Sequence, residues 1–193
     1  MLLLAVTRWP GLMPWNFSAV YALMFCAGVY FPKRLAWWLP FATIFITDLL
    51  LNGLYYHAPL VGPEMLGNYL SYAALVLLGR AFSPRATWLK LVSGGLLGAI
   101  VFYVVTNTFS WFFNPFHNLE YVKTFMGWWT ALTIGTKGYP QTWEFFFKTL
   151  LSGGLFTGLF AGAMKLMEAT EPDQEEAEAP EEAPQEKPEE AKA

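Results

Sequence analysis

Acidic side chains are almost absent from the first 167 residues of this 193-residue chain. Only four occur there: Asp48, Glu64, Glu120 and Glu144. Hydrophobic residues make up 55% of the whole chain and charged residues 14%, whereas charged residues make up roughly a quarter of a typical soluble domain. A region with so few side chains suited to a water-facing surface is expected to be solvated by lipid.

Six apolar segments divide this region, at 17–31, 35–54, 65–78, 88–105, 125–134 and 145–167. A helix needs about 20 residues to cross a hydrocarbon layer of about 30 Å. Three segments (35–54, 88–105 and 145–167) are long enough, and the first and third approach this length with their flanking residues. Segment 125–134 is too short and is expected to be re-entrant, interfacial or lengthened by its flank. Residues 1–167 are therefore predicted to form an all-α transmembrane bundle of five or six helices, the fifth short or re-entrant.

Basic residues predict the orientation of this bundle. Cytoplasmic loops of membrane proteins carry an excess of Lys and Arg, and such residues follow the first and third segments while loop 57–64 has none. If segment 125–134 does not cross, the chain crosses five times and its C-terminus lies in the cytoplasm. If it does cross, there are six crossings and the C-terminus lies outside the cell. The five-crossing version is favoured because it also places Lys165 inside. No basic residue precedes the apolar run 1–6, so a cleaved signal peptide is not expected and the first helix is expected to be retained. The cytoplasmic residues of this prediction are Lys33, Arg34, Arg80, Arg85 and Lys90.

Residues 168–193 differ sharply in composition from the rest. Eleven of the 15 acidic residues lie between Glu168 and Glu190, among Ala, Pro, Gln and Lys, with no aromatic residue. Such a segment buries too little apolar area to offset its ordering entropy. It is predicted to be a disordered acidic tail, on the cytoplasmic side in the five-crossing version.

Asp48 is the most informative charged residue of the bundle, because a charge deep in a bilayer costs roughly 2.5–3.5 kcal/mol on insertion scales and must face the interior or a partner. Asn52 and Tyr55 follow at helical spacing, which places all three on one face. This stripe predicts either a cavity that contacts a solute or ion, or a structural interaction of Asp48. The structural partner would be a helix end or a Lys or Arg near the cytoplasmic boundary.

A second polar cluster occurs where segment 88–105 ends. Thr106, Asn107, Thr108 and Ser110 stand beside Phe109 and Trp111. Polar groups that orient a ligand and aromatic groups that supply contact area are typical of a pocket rim. The same residues also stop helices by competing for backbone hydrogen bonds, and a helix cap is the favoured interpretation. In the pocket interpretation, Thr106, Asn107 and Trp111 contact the solute.

Small residues recur at four-residue spacing in two segments. Close helix packing is typical of such patterns, because small residues let two backbones approach. The neighbouring helix is expected within this chain, with a partner subunit as the alternative. The glycines concerned are Gly94 and Gly98 in the fourth segment, and Gly154, Gly158 and Gly162 in the sixth.

Several classes of chemistry have no support in the sequence. The chain has no Walker loop, no dinucleotide-binding fingerprint and no HExxH motif. The two histidines, His57 and His117, fall in predicted loops, and Cys26 is the only cysteine, so no metal site is expected. Basic residues are scattered at membrane boundaries, which argues against nucleic-acid binding. No enzyme activity and no cofactor are predicted.

Several fragments together are similar to a known family. These are residues 16–20, the stretch from Pro40 to Leu49, Gly79-Arg80, and the stretch from Phe102 to Trp111. Residues 14–165 resemble an uncharacterised bacterial integral-membrane family labelled as transport proteins. Its plan is similar to the substrate-capture components of energy-coupling-factor transporters, small six-helix proteins that bind vitamins or metals. The resemblance implies a multi-pass protein of the bacterial inner membrane.

The function expected from these observations is transport of a small solute. The chain would be the substrate-binding or permeating subunit, without its own ATPase. Asp48 and Asn52 would line the cavity from one helix, and Thr106, Asn107 and Trp111 from another. The alternative is a membrane scaffold that docks other membrane subunits through its glycine-rich helix faces.

Overall fold

The computed structural model describes residues 1–178, and helices account for all of their regular structure apart from one bridge between Pro10 and Met13. The predicted all-α class is confirmed. The prediction of disorder for 179–193 lies outside the described residues, and the last helix continues past residue 167, where the tail was predicted to begin. The helices are α1 (Leu2–Thr7), α2 (Val20–Tyr30), α3 (Lys33–Leu50), α4 (Pro63–Arg80), α5 (Trp88–Phe113), α6 (Phe125–Thr133) and α7 (Thr142–Glu178), and a π-helical turn (Leu51–Tyr55) extends α3.

Three of the described helices have the length and apolar composition of membrane-spanning segments. They comprise Lys33–Tyr55, Trp88–Phe113 and Thr142–Thr170. Large apolar side chains such as Ile46, Leu97 and Leu159 are exposed on their outer faces. Continuous apolar surface of this kind is rare on soluble monomers and typical of a lipid-facing surface. These helices therefore mark the chain as a membrane protein.

Helix α2 forms the centre of the bundle. All ten residues from Val20 to Val29 are buried, and the helix packs against α3, α4, α5 and α7. It ends at Phe31, whose backbone is extended (ψ 147°) because Pro32 disfavours a helical residue before it. A helix that is apolar on every face can be surrounded by other helices without burying a row of unpaired polar groups. The sequence of α2 is thus compatible with its central position.

The two ends of the bundle differ in charge. Short connections make α2, α3, α4 and α5 alternate in direction. Helix α7 runs antiparallel to α5, because Tyr103 of α5 packs against Phe146 near the start of α7 (ring centroids 4.8 Å apart) and the Trp88 indole at the start of α5 donates to the Gly158 carbonyl farther along α7 (2.9 Å). One end, called the basic end, therefore collects cations from four places in the sequence. They are Lys33, Arg34, Arg80, Arg85 and Lys90, all exposed.

Helix α6 packs along the C-terminal half of α5 and does not extend through the bundle. The Trp128 indole donates to Thr108 Oγ1 (2.9 Å), and the Tyr103 hydroxyl donates to the Leu132 carbonyl. The helix ends at Thr133, and Gly135, two residues on, has a positive φ of 78° that reverses the chain. Helix α6 thus lies at the end of the bundle where α5 ends and α7 begins.

Candidate functional site

A cavity of about 760 Å³ lies at the end of the bundle opposite the basic end. It is enclosed by the N-terminal segment up to residue 18, the π-helical turn after α3, and the adjoining ends of α2, α4, α5 and α7. Its walls combine hydrogen-bonding and aromatic side chains. The hydrogen-bonding residues are Thr7, Arg8, Asn16, Ser18, Asp48, Asn52, Asn68, Thr106, Asn107, Ser110, Thr142 and Thr149, and the aromatic ones are Trp9, Trp15, Phe17, Tyr21, Tyr55, Tyr56, Tyr72, Phe102, Tyr103, Tyr139 and Phe145.

An ion pair between Arg8 and Asp48 forms part of the cavity wall. The guanidinium donates to Asp48 Oδ1, and the side chains are only 16% and 14% exposed. The second carboxylate oxygen accepts from the Tyr69 hydroxyl (2.9 Å). The guanidinium also donates to Thr47 Oγ1 (2.5 Å) and to the Ile44 carbonyl (3.1 Å). Both charges are therefore hydrogen-bonded, which a buried pair requires.

Local structure places Arg8 opposite Asp48. The Thr7 hydroxyl accepts from the backbone N–H of Ala19 (3.1 Å), which fixes the end of α1 against the start of α2. On the other side, the ring of Trp9 packs edge-on against Tyr55 at the end of α3, with centroids 6.4 Å apart. Both contacts hold the N-terminal segment in place as part of the cavity wall.

Three aromatic rings form a continuous wall beside this pair. Tyr72 and Phe102 are stacked with 16° between their planes and centroids 5.5 Å apart, and Tyr21 contacts Phe102 at 4.6 Å. The rings come from α2, α4 and α5, so their packing also joins three helices. Stacked rings give a flat apolar surface for a ligand, and the tyrosine hydroxyls add hydrogen-bonding groups to it.

The cavity carries no net charge. Among the described lining residues, Arg8 and Asp48 are the only charged side chains, and they neutralise each other. The part of the chain that the structure describes contains no group of three or more His, Cys, Asp or Glu residues placed to hold a metal ion. The arrangement suits binding of an uncharged or zwitterionic molecule through hydrogen bonds and aromatic contacts.

Four of the five residues singled out from the sequence line this cavity: Asp48, Asn52, Thr106 and Asn107. The Asn52 amide donates to the Leu60 carbonyl (3.3 Å), which holds the loop after α3. The Asn107 amide donates to the Tyr103 carbonyl (2.8 Å), while its side-chain oxygen accepts no hydrogen bond from the described residues. Trp111 lies away from the lining, where its indole donates to the Val122 carbonyl (2.8 Å) and its ring lies under Lys123.

The favoured interpretation of residues 106–111 as a helix cap is wrong. Helix α5 continues through them to Phe113 and ends at Asn114, which adopts a left-handed conformation (φ 43°). Thr106 Oγ1 donates to the Phe102 carbonyl one turn back (2.8 Å), and Asn107 does the same with Tyr103. These side chains hydrogen-bond to backbone carbonyls of the preceding turn, and so they do not terminate the helix.

The structural partner of Asp48 also differs from the prediction. The structural alternative named a helix end or a Lys or Arg near the cytoplasmic boundary, but the partner is Arg8, at the end of the molecule opposite the basic end. Sequence reasoning missed Arg8 because it follows a short apolar run and precedes the first of the six predicted apolar segments. A signal was present: Arg8 is the only charged side chain before Lys33.

The repeated glycines accommodate side chains of this same chain. A Cβ on Gly154 would lie 2.9 Å from Leu96, and one on Gly158 would lie 3.2 Å from Trp88. In α5, the corresponding neighbours are Phe25 and Phe82 for Gly94, and Leu75 for Gly98. The packing around Gly162 is less tight, since a Cβ added there would contact only Trp88, at 3.6 Å. All five glycines thus face neighbouring helices of the bundle.

Comparison with known proteins places the chain in a family but gives no named relative. No curated protein and no solved structure is detectably similar to the chain. Residues 1–176, which include every residue of the cavity, match a family of unknown function (DUF6580), and the chain belongs to that family.

Proposed function

We propose that this protein is the solute-binding or permeating subunit of a transport system in the bacterial inner membrane. The observation that carries the proposal is the cavity of about 760 Å³ at one end of a lipid-facing bundle. Sites for small molecules have volumes of about 300–1,000 Å³, and the lining of this cavity supplies both hydrogen-bonding groups and aromatic contact area. The solute would bind by hydrogen bonds and ring contacts, with no covalent step.

The charge distribution supports an outward-facing cavity. Under the positive-inside bias, the basic end lies in the cytoplasm and the cavity end outside. Five helices (α2, α3, α4, α5 and α7) then cross the membrane, and α6 enters from the outside and returns. Helix α2 has only 11 residues, about 16 Å of helix, so its crossing also uses the residues on either side. The position of α6 beside the end of α5 favours this version over six crossings.

The packing of the glycines favours transport over the scaffold alternative. A scaffold would leave small-residue faces open for other subunits, but side chains of neighbouring helices fill the space beside Gly94, Gly98, Gly154 and Gly158. Energy for net transport would come from an ion gradient or from a partner subunit. Binding must favour one of two conformations for either source to drive movement.

Untargeted mass spectrometry of small molecules retained by the purified protein tests the proposal. Wild-type protein is expected to retain a solute, and Asn107→Leu to retain at least tenfold less, because the leucine removes a polar group from the wall. Thr43→Leu is the control, since Thr43 is a polar residue of α3 outside the cavity whose hydroxyl bonds only within its helix, to Leu39. Equal retention by all three proteins, or no retained solute in any, would contradict the proposal.

A further inference from the structure

A second cavity, called the apolar groove, lies between the N-terminal segment and the end of α3. Its volume is about 270 Å³, and its walls are formed by Ala5, Val6, Trp9, Leu12, Leu50 and Leu51. These are apolar side chains, apart from the indole N–H of Trp9. The groove therefore suits hydrocarbon and offers almost nothing to a polar molecule.

The groove opens on the outer surface of the bundle. Val6 is 46% exposed, Leu12 58% and Leu50 45%, so its rim faces the lipid. The groove's volume of about 270 Å³ is smaller than one turn of a partner helix, which occupies roughly 400–600 Å³ at a diameter of about 10–12 Å and a pitch of about 5.4 Å. A single flexible hydrocarbon chain is the occupant that fits both the volume and the apolar walls.

The groove and the polar cavity share a wall. Trp9 and Leu51 line both of them. Thr47 also borders the groove, and its hydroxyl accepts a hydrogen bond from Arg8, which borders the cavity (2.5 Å). Leu51 is the first residue of the π-helical turn (Leu51–Tyr55), a distortion of α3 of the kind that is frequent at functional sites. A polar space and an apolar space therefore meet at the same few residues.

From this juxtaposition we propose that the ligand is an amphipathic molecule with one hydrocarbon chain. Its polar head, without net charge, occupies the cavity, and its chain passes Trp9 and Leu51 into the apolar groove. The ligand reaches the site sideways from the outer leaflet, because the groove opens towards lipid. This inference rests on the proposed function and specifies the class of its solute.

Photo-crosslinking in lipid nanodiscs tests the inference, with monoacylglycerol carrying a diazirine on its acyl chain as the probe. Crosslinks are expected in residues 5–12 and 47–51. Val6→Trp and Leu50→Phe, which fill the groove from opposite walls, should each reduce them at least fivefold. Leu159→Trp on α7, also lipid-facing, should leave them unchanged.

Each contrary result identifies what fails. Labelling that is unchanged in both groove variants, or abolished equally by excess phospholipid, would show bulk lipid against the protein and overturn the inference. Retention of a chainless solute that Asn107→Leu abolishes and Val6→Trp leaves unaltered would also overturn it, while the proposed function stands. If Asn107→Leu changes neither solute retention nor probe labelling, the proposed function fails as well.

Discussion

Gly28 of α2 and Gly79 of α4 lie face to face where the two helices pack. A Cβ on Gly79 would be 2.1 Å from the carbonyl oxygen of Phe25, and one on Gly28 would be 2.3 Å from that of Val76. Neither distance leaves room for a carbon atom, and both obstacles are backbone, which a rotamer change cannot move. The central helix therefore holds its place through two glycines, one on each side of the contact.

Replacing Gly79 by alanine is expected to destabilise the protein by about 1–3 kcal/mol, because added volume in a packed interface forces the helices apart. Thermal unfolding in detergent measures this loss. Gly162→Ala is the control, since its new Cβ would lie at an ordinary 3.6 Å from Trp88 and alanine favours a helix more than glycine does. A Gly79→Ala protein as stable as Gly162→Ala would show that the α2–α4 contact is looser than described.

The Arg8–Asp48 pair predicts strongly coupled substitutions. Asp48→Leu leaves the guanidinium buried without its anion, and Arg8→Met leaves the carboxylate without its cation. Each is expected to cost about 3–5 kcal/mol of stability, and the double variant much less than the sum, because it leaves no unpaired charge. Thermal unfolding of the four proteins gives the coupling directly.

Lys165→Met provides the comparison for this cycle. It breaks the exposed pair with Glu168 (2.9 Å), and such pairs contribute about 0–1 kcal/mol. Additive losses from Arg8→Met and Asp48→Leu would mean that the two residues do not act as a pair.

The same pairing makes Asp48→Asn alone a poor test of solute binding, since it would weaken both the ligand site and the attachment of the N-terminal segment.

The positions of the main helices could be predicted from the sequence, because long apolar runs bounded by charge or proline have few alternatives in lipid. The polar face of α3 was also predictable, since Asp48 and Asn52 are four residues apart on a helix. Both lie in the wall of the cavity. Both features follow from residue spacing within a single helix, which the sequence shows directly.

Other features depend on contacts distant in sequence. Arg8 and Asp48 are 40 residues apart, and no local pattern indicates their pairing. Gly28 and Gly79 belong to no repeat of small residues, so the pattern that identified Gly94 and Gly154 could not find them. The C-terminal end of α5 was predicted too early because Thr, Asn and Ser occur both at helix ends and inside helices. Inside a helix their side chains can hydrogen-bond to carbonyls of the preceding turn, and the sequence does not distinguish the two cases.

The buried tyrosines predict opposite effects of the same substitution. The Tyr103 hydroxyl donates to the Leu132 carbonyl and so attaches α6 to α5. The buried Tyr30 hydroxyl has no hydrogen-bond partner within the described part of the chain. Tyr103→Phe is expected to lower stability by about 1 kcal/mol and to speed hydrogen exchange in residues 125–134. Tyr30→Phe removes an unsatisfied group and should be neutral or stabilising. Faster exchange of 125–134 in Tyr30→Phe than in Tyr103→Phe would contradict the assignment.

Cysteine labelling on intact cells tests the path of α6 through the membrane. The native Cys26 is buried (1% exposed), so it should contribute little background with a membrane-impermeant maleimide. Leu119→Cys before α6 and Lys137→Cys after it are both expected to react from outside, because in the proposed arrangement the helix enters and leaves at the cavity end. Ala58→Cys should react likewise, and Ser83→Cys at the basic end only after the cells are opened. If position 119 reacts from outside and position 137 only in opened cells, α6 crosses the membrane, and the five-crossing arrangement with its cytoplasmic C-terminus is wrong.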